Sequence, residues 1–178
     1  MLELSSNTIK VLGICGRLSP ELERLFDSIE HKYSHKPEGD EYRVFRHLTL
    51  TFTPNASIPD VHSQLELLRD LKQHLPVKLK VNKLFVKDEE SLEGAEHIAI
   101  DFGLEQTNEL VDFVRNRVGD SAVATWYIKV IWFVPKENQP AVMTELSKLT
   151  EIEFSDFYLV SNKQDDKNTL FKSSDFKA

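Results

Sequence analysis

The run His47-Leu48-Thr49-Leu50-Thr51-Phe52 alternates polar and apolar residues. In an extended strand the side-chain period is two, so His47, Thr49 and Thr51 are expected on one face and Leu48, Leu50 and Phe52 on the other. An imidazole and a hydroxyl at this spacing stand about 6.5–7 Å apart along the strand. The pair suits a phosphate group: histidine takes or gives a proton near neutral pH, and threonine hydrogen-bonds a phosphoryl oxygen. The plainer use of the same pattern is a strand histidine held by a hydrogen bond on a half-buried sheet.

Other residues could join such a site. Arg43 shares the parity of His47 and is suited to bidentate phosphate contact, whereas Arg46 falls on the opposite face. His97 in HIAIDF echoes the first run but has Ala99 where the hydroxyl would be, and Asp101 follows on the same face. Lys78, Lys80 and Lys83 could frame an anionic cleft or simply face water. His31, His35, His62 and His74 have no cysteine or paired carboxylate at metal-ligand spacing, so no metal site and no cofactor is expected. No glycine-rich phosphate loop is present, which excludes a Walker-type nucleoside triphosphatase and argues against a Rossmann dinucleotide site. The single cysteine, Cys15, lies in the apolar run VLGIC and reads as a buried, inert thiol.

The elements that must carry these residues alternate along the chain. Thr8–Cys15 reads as a strand. Ser19 and Pro20 then cap a helix with Leu22, Leu25, Phe26 and Ile29 on one face, ending before His31. Tyr42–Thr53 reads as a strand stopped by Pro54-Asn55, and a helix with Leu65, Leu68 and Leu71 follows Pro59. Val77–Val86 reads as one half-exposed strand, 88–96 as a loop, His97–Phe102 as a strand and Glu105–Val118 as an amphipathic helix. Thr125–Val134 is the most apolar strand, with Tyr127 and Lys129 on one face and Trp126, Ile128, Val130 and Trp132 on the other. A helix at about Gln139–Leu149 and a strand at Ile152–Val160 complete the order, with a polar tail beyond. The expected fold class is α+β, two β-α-β-α-β halves of about 1–87 and 88–162 forming pseudo-symmetric lobes with antiparallel sheets around a central cleft, and a tail at 163–178.

This element order, with His47-Leu48-Thr49-Leu50 in its first half, resembles the two-histidine (2H) phosphoesterase superfamily, which includes 2′-5′ RNA ligase-like proteins and cyclic nucleotide phosphodiesterases. The resemblance implies two histidine–hydroxyl motifs facing each other across the cleft, one histidine acting as general base and the other as general acid. The implied chemistry is metal-independent cleavage of a 2′,3′-cyclic phosphate or a 2′-5′ phosphodiester, with His47 and Thr49 as catalytic residues. The chain departs from the pattern in its second half. The strand equivalent to the second motif, Thr125–Val134, has no histidine, and Tyr127 and Lys129 stand at the same spacing. Tyr127, Lys129, His97 and Arg43 are therefore the expected substrate-binding residues. Two classes of function stay open: an enzyme with one histidine replaced, or a non-catalytic phosphate-binding or scaffold protein on the same fold. An unrelated ferredoxin-like regulatory domain needs only the element order.

Composition narrows the partners. The 178 residues carry 22 Lys+Arg against 29 Asp+Glu, a formal charge of −7. Duplex DNA binding rests on clustered cations and is not expected, while a nucleotide or single-stranded RNA end remains compatible. No apolar run approaches the roughly 20 residues a bilayer span needs. The N-terminal run lacks a basic n-region, so no membrane partner and a cytoplasmic location are expected.

Overall fold

Strand β1, Ile9–Leu18, runs through the larger of two antiparallel sheets, and its glycines let neighbours approach it closely. A Cβ at Gly13 would lie 2.5 Å from the Thr51 carbonyl oxygen, and one at Gly16 would meet the Phe154 and Phe157 rings at 3.0 and 3.2 Å. The structure is a computed structural model and describes residues 9–35, 46–88, 96–103, 109–124, 126–163 and 166–172.

Helix α1, Pro20–Tyr33, starts where expected, with the Ser19 hydroxyl accepting from the Leu22 N–H and proline in the first turn. It runs past His31 to Tyr33, and its buried stripe is Phe26, Ile29 and Glu30, while Leu25 is exposed. Of the expected strand at Tyr42–Thr53, residues 42–45 lie outside the described residues, and from Arg46 on the chain forms two short strands, β2 (His47–Thr49) and β3 (Thr53–Ala56), both paired with β1. Helix α2, Ile58–Leu71, opens with a reciprocal Ser57–Asp60 capping box and buries Leu67, Leu68 and Leu71.

Val77–Val86 is likewise two strands. Strand β4 (Val77–Lys80) joins the larger sheet, and β5 (Lys83–Asp88) starts the smaller one. Between them the Val81 N–H bonds to the Thr150 carbonyl and the Asn82 N–H to the Asp101 carbonyl, so the chain changes sheets within two residues. Strand β6 (Glu96–Asp101), helix α3 (Glu109–Val118), strand β7 (Tyr127–Ile131) and helix α4 (Gln139–Leu146) follow.

The long strand β8, Glu151–Lys163, returns to pair with both β1 and β4. The chain from Asp166 to Lys172, expected to be part of a polar tail, forms strand β9 on β8, on the edge opposite β1, of which β4 covers only Glu151–Phe154. The larger sheet has the order β2-β1-β8-β4, with β3 also on β1 and β9 on β8; the smaller has the order β5-β6-β7. The two sheets thus do not follow the two halves of the chain: β5 leaves the first half and β8 leaves the second. Among the described residues no helix is long and apolar enough to cross a membrane.

One buried cation ties three elements together. The Arg46 side chain, 3% exposed, donates from Nε to the Val130 carbonyl of β7 at 2.6 Å. Its Nη1 donates to Glu23 at 2.9 Å and Asp27 at 2.7 Å, and its Nη2 pairs with Glu30 at 2.9 Å, all on α1. Burial alone would lower the Arg46 pKa, but these carboxylates outweigh it and raise the pKa. Glu30, itself 3% exposed, also accepts the Trp132 N–H at 2.9 Å. Removing one member of such a buried pair leaves its partner charged and uncompensated. Arg46→Ala is therefore expected to lower the unfolding free energy by about 3–5 kcal/mol, read from urea denaturation. Arg46→Lys is expected to recover only part of it, since a point charge cannot reproduce the fork of contacts.

Candidate functional site

The sheets approach each other along β2 and β7, whose Cα atoms come within 8 Å. Just past β2 the two backbones are directly joined. The Leu50 carbonyl accepts from the Ala124 N–H at 3.0 Å and the Trp126 indole N–H at 3.2 Å, Thr51 bridges Val123, and the Phe52 N–H bonds the Ala122 carbonyl at 2.8 Å. At the other end of β2 the gap to β7 is crossed by a side chain, Arg46 reaching Val130. The two strands therefore form a V, closed at Leu50–Phe52 and held open by an arginine's length beside His47.

The face assignments for this V agree with the alternation in the sequence. Leu48 and Leu50 are buried at 0%, while His47 and Thr49 are half-buried. Trp126, Ile128 and Val130 are buried, while Tyr127 and Lys129 are half-buried.

The alternation fails at both strand ends. Thr51 is buried at 0%: its hydroxyl accepts the Ile14 N–H at 2.9 Å and donates to Gln64 at 2.7 Å, while Phe52 turns outward, 47% exposed. The cause is a local bulge, because the Leu50 and Thr51 N–H groups both bond the Ile14 carbonyl. At the end of β7, Trp132 leaves the face shared by Ile128 and Val130. It is half-buried, with the Lys129 ammonium 5.0 Å from its ring centre. Phe133, at φ 55, occupies the left-handed region and breaks the alternation there.

His97 is not part of the cleft surface. It is buried at 0% beneath Trp132 and Phe133, whose ring centres lie 4.6 and 5.2 Å away, and its Nδ1 accepts the Phe133 N–H at 3.2 Å. The expectation that it binds substrate is corrected: β6 is the middle strand of its sheet, and its aromatic neighbours close over the imidazole. Burial lowers its pKa from 6.5, with Glu30 pulling the other way, so the ring is neutral at pH 7. Its role is to satisfy the N–H of a strained residue. Asp101 likewise ends the strand, its carboxylate accepting from Asn82 at 3.0 Å and from the Gly103 N–H at 3.2 Å. Arg43 lies outside the described residues. Lys78 and Lys80 sit opposite Glu153 and Glu151 in the β4–β8 register.

Arg17 is a residue that local pattern reading passed over. Directly opposite His47 in the β1–β2 register, it shares the face of His47 and is exposed, with its guanidinium 5.4 Å from the Tyr158 ring centre. A cavity of about 420 Å³ adjoins it, lined by Arg17, Arg24, Arg46, Glu23 and Tyr158 among others. Burial raises the Tyr158 pKa well above 10.0, so its phenol stays protonated. Cys15, 3% exposed, lies between Thr49 and Tyr158 with its sulfur 3.9 Å from the Thr49 hydroxyl. Only the cross-strand register, which a single sequence does not print, could have paired Arg17 with His47. Among the described residues no group of three or more His, Cys, Asp or Glu side chains is placed to hold a metal ion.

No protein-family model matches the chain, and no curated protein matches it by sequence. Solved structures do match its fold. Escherichia coli LigT complexed with phosphate is 15% identical with a TM-score of 0.51, over 93% of this chain and 97% of that one. LigT complexed with 3′-AMP gives the same figures. Usb1 of Kluyveromyces marxianus with uridine monophosphate is 11% identical at a TM-score of 0.49, over 91% and 98%. The chain thus has the fold of LigT, as the order of its elements led one to expect.

The lowered pKa of His97 gives this region a pH signature. The unfolded chain takes up the proton first as pH falls, so the contribution of His97 to stability is complete above about pH 6.5 and is lost below it. His97→Asn keeps an acceptor for the Phe133 N–H and cannot titrate. Urea midpoints measured from pH 7.5 to 5.0 are expected to fall on the acid side for the parent and to fall less steeply for His97→Asn.

Proposed function

We propose that the V between β2 and β7 binds the phosphate of a nucleotide or RNA end and cleaves a 2′,3′-cyclic phosphate or 2′-5′ phosphodiester, with His47 as its one imidazole. What supports this reading is that His47 and Thr49 lie on β2 and Tyr127 and Lys129 on β7, two strands that approach each other. All four are half-buried, on two strands joined at one end and spread by Arg46 at the other. LigT, whose fold this chain has, has been solved with phosphate and with 3′-AMP.

In this reading His47 takes a proton from a water that attacks phosphorus. One ring P–O bond of the cyclic phosphate breaks, and the leaving ribose oxygen receives a proton. An ordinary lysine, with a pKa of about 10.4, is protonated at pH 7 and can give that proton, though less favourably than an imidazole near its own pKa. Lys129 takes this role. Thr49 and Tyr127 hydrogen-bond the non-bridging oxygens, and Arg17 adds positive charge beside His47. After the step His47 holds a proton and Lys129 lacks one, and exchange with solvent resets both. Slow turnover follows from replacing one of two matched proton-transfer groups, which costs about 10²–10⁴ in rate.

A second reading is binding without turnover. The burial of His97 favours it, since that histidine was the other imidazole that could have reached the phosphate. Hydrolysis of 2′,3′-cyclic AMP in the presence of EDTA separates the two. Slow hydrolysis that falls by about 10² or more in His47→Ala supports the enzyme. Binding of the nucleotide with no hydrolysis above that of His47→Ala supports the second reading. Failure to bind either 2′,3′-cyclic AMP or inorganic phosphate overturns both.

A further inference from the structure

The run HIAIDF puts a histidine on a strand whose middle four residues are buried, and that imidazole serves an irregular stretch of β7. The β6–β7 register passes from Ala99 opposite Lys129 to Ile98 opposite Ile131, so Val130 is an extra residue on β7. A one-residue bulge shifts the alternation, and Trp132 comes to the face of Lys129 instead of the face of Ile128. The carbonyl of the bulged residue, Val130, is the one that Arg46 binds at 2.6 Å. Beyond it the Trp132 N–H donates to Glu30 at 2.9 Å and the Phe133 N–H to His97 Nδ1 at 3.2 Å, while the Phe133 carbonyl accepts the His35 N–H at 3.0 Å.

Two of these acceptors, Glu30 and His97, belong to one electrostatic cluster. Glu30 pairs with Arg46 at 2.9 Å, and its charge favours protonation of His97, which burial opposes. On β5 the residue opposite His97 is Lys87, whose ammonium lies 5.1 Å from the Tyr127 ring centre. On β6 the preceding Glu96 is held by Gln139 and Lys136. On β7 Lys129 stands 5.0 Å from the Trp132 ring centre, and that ring packs on His97 at 4.6 Å. Behind Phe133 is His35, which is exposed. Of these charged and titratable groups, Glu30 is the one that moves the protonation of His97.

A neutral imidazole can accept at Nδ1, whereas an imidazolium carries a proton on both nitrogens. Proton uptake therefore turns the acceptor of the Phe133 N–H into a second donor facing it. It also makes His97 a rival for Glu30, the acceptor of the Trp132 N–H. A bulky residue keeps a left-handed conformation only while its surroundings hold it there. We infer that neutral His97 is a positioning residue for Lys129, acting through Phe133 and Trp132, and that proton uptake by His97 parts the Trp132 ring from the Lys129 ammonium. The positioning itself needs only these contacts; its consequence for turnover rests on the reading of Lys129 as proton donor proposed above.

The test is an NMR titration of the full chain from pH 7.5 to 5.0, a range in which lysine stays protonated. At pH 7.5 the Lys129 Hε resonance is expected upfield of an exposed lysine, because the side chain lies over an indole ring. It is expected to lose most of that ring shift as pH falls, with the same midpoint as the His97 imidazole C–H resonance. In His97→Asn, whose amide oxygen still accepts the Phe133 N–H, the ring shift is expected to persist to pH 5.0. In Trp132→Leu it is expected to be absent throughout. Urea midpoints at pH 7.5 show that the variants are folded, and far-ultraviolet circular dichroism of the parent separates movement of the ring from unfolding. If His97→Asn does not fold, the parent decides, and coincident midpoints for His97 and Lys129 support the inference. A ring shift that persists while His97 titrates overturns it, as does one lost equally in His97→Asn or retained in Trp132→Leu. A His97 that takes up no proton by pH 5.0, or only on unfolding, also overturns it. Hydrolysis of 2′,3′-cyclic AMP is a separate arm: kcat of the parent relative to His97→Asn is expected to fall with the His97 midpoint, with relative KM unchanged. No hydrolysis at all removes the catalytic role of Lys129 and leaves the positioning to the NMR result.

Discussion

A single guanidinium sets the distance between the two sheets. Arg46 reaches from the residue before β2 to three carboxylates of α1 and to the backbone of β7, and nearly all of it is out of water. A buried charge is tolerated only when its partners are complete, so the positions of α1, β2 and β7 are fixed together. Consecutive strand residues point to opposite faces, and His47 is the next residue. One peptide unit thus joins the anchor on the inner side to the imidazole on the outer side. The opening of the V depends on how far an arginine extends, and a shorter side chain at 46 would leave β7 unsupported at Val130.

Much of the candidate site could be read locally. Leu48, Leu50, Ile128 and Val130 lie inward and His47, Thr49, Tyr127 and Lys129 half outward, because burial of an apolar face dictates strand parity residue by residue. Some of what was misread also left a trace. Val77, Leu79 and Val81 alternate strictly with polar residues whereas Leu84-Phe85-Val86 is a continuous apolar run, and the chain changes sheets between the two. Pairing between distant strands left none. Nothing in the run of His97 distinguishes a histidine on a middle strand, roofed by Trp132 and Phe133, from one at an edge. Arg17 facing His47 is a fact of β1–β2 register. The role of Arg46 was equally hidden, since a lone arginine on an apolar strand face gives no hint of three acids from another helix.

Departures from regular geometry cluster where the strands adjoin. Thr51 drops out of alternation at a bulge, and Phe133 adopts a left-handed conformation that a bulky residue pays to keep. Both are secured by buried polar contacts, Thr51 to Ile14 and Gln64 and Phe133 to His97. These two irregularities close the V at one end and place Trp132 beside Lys129 at the other. A fully regular pair of strands would have neither feature.

The placement of β8 bears on how such a molecule is made. Gly13 pairs with Val160 and Cys15 with Tyr158, so β1 completes its sheet only after β8, far later in the chain, has been synthesised. Until then one edge of β1 has no native partner, and contacts this far apart in sequence form late because closing a long loop costs entropy. Between the synthesis of β1 and that of β8 the nascent chain therefore carries an unpaired edge of the kind that invites association with other chains. The larger sheet is therefore complete only once strands from both halves have been made.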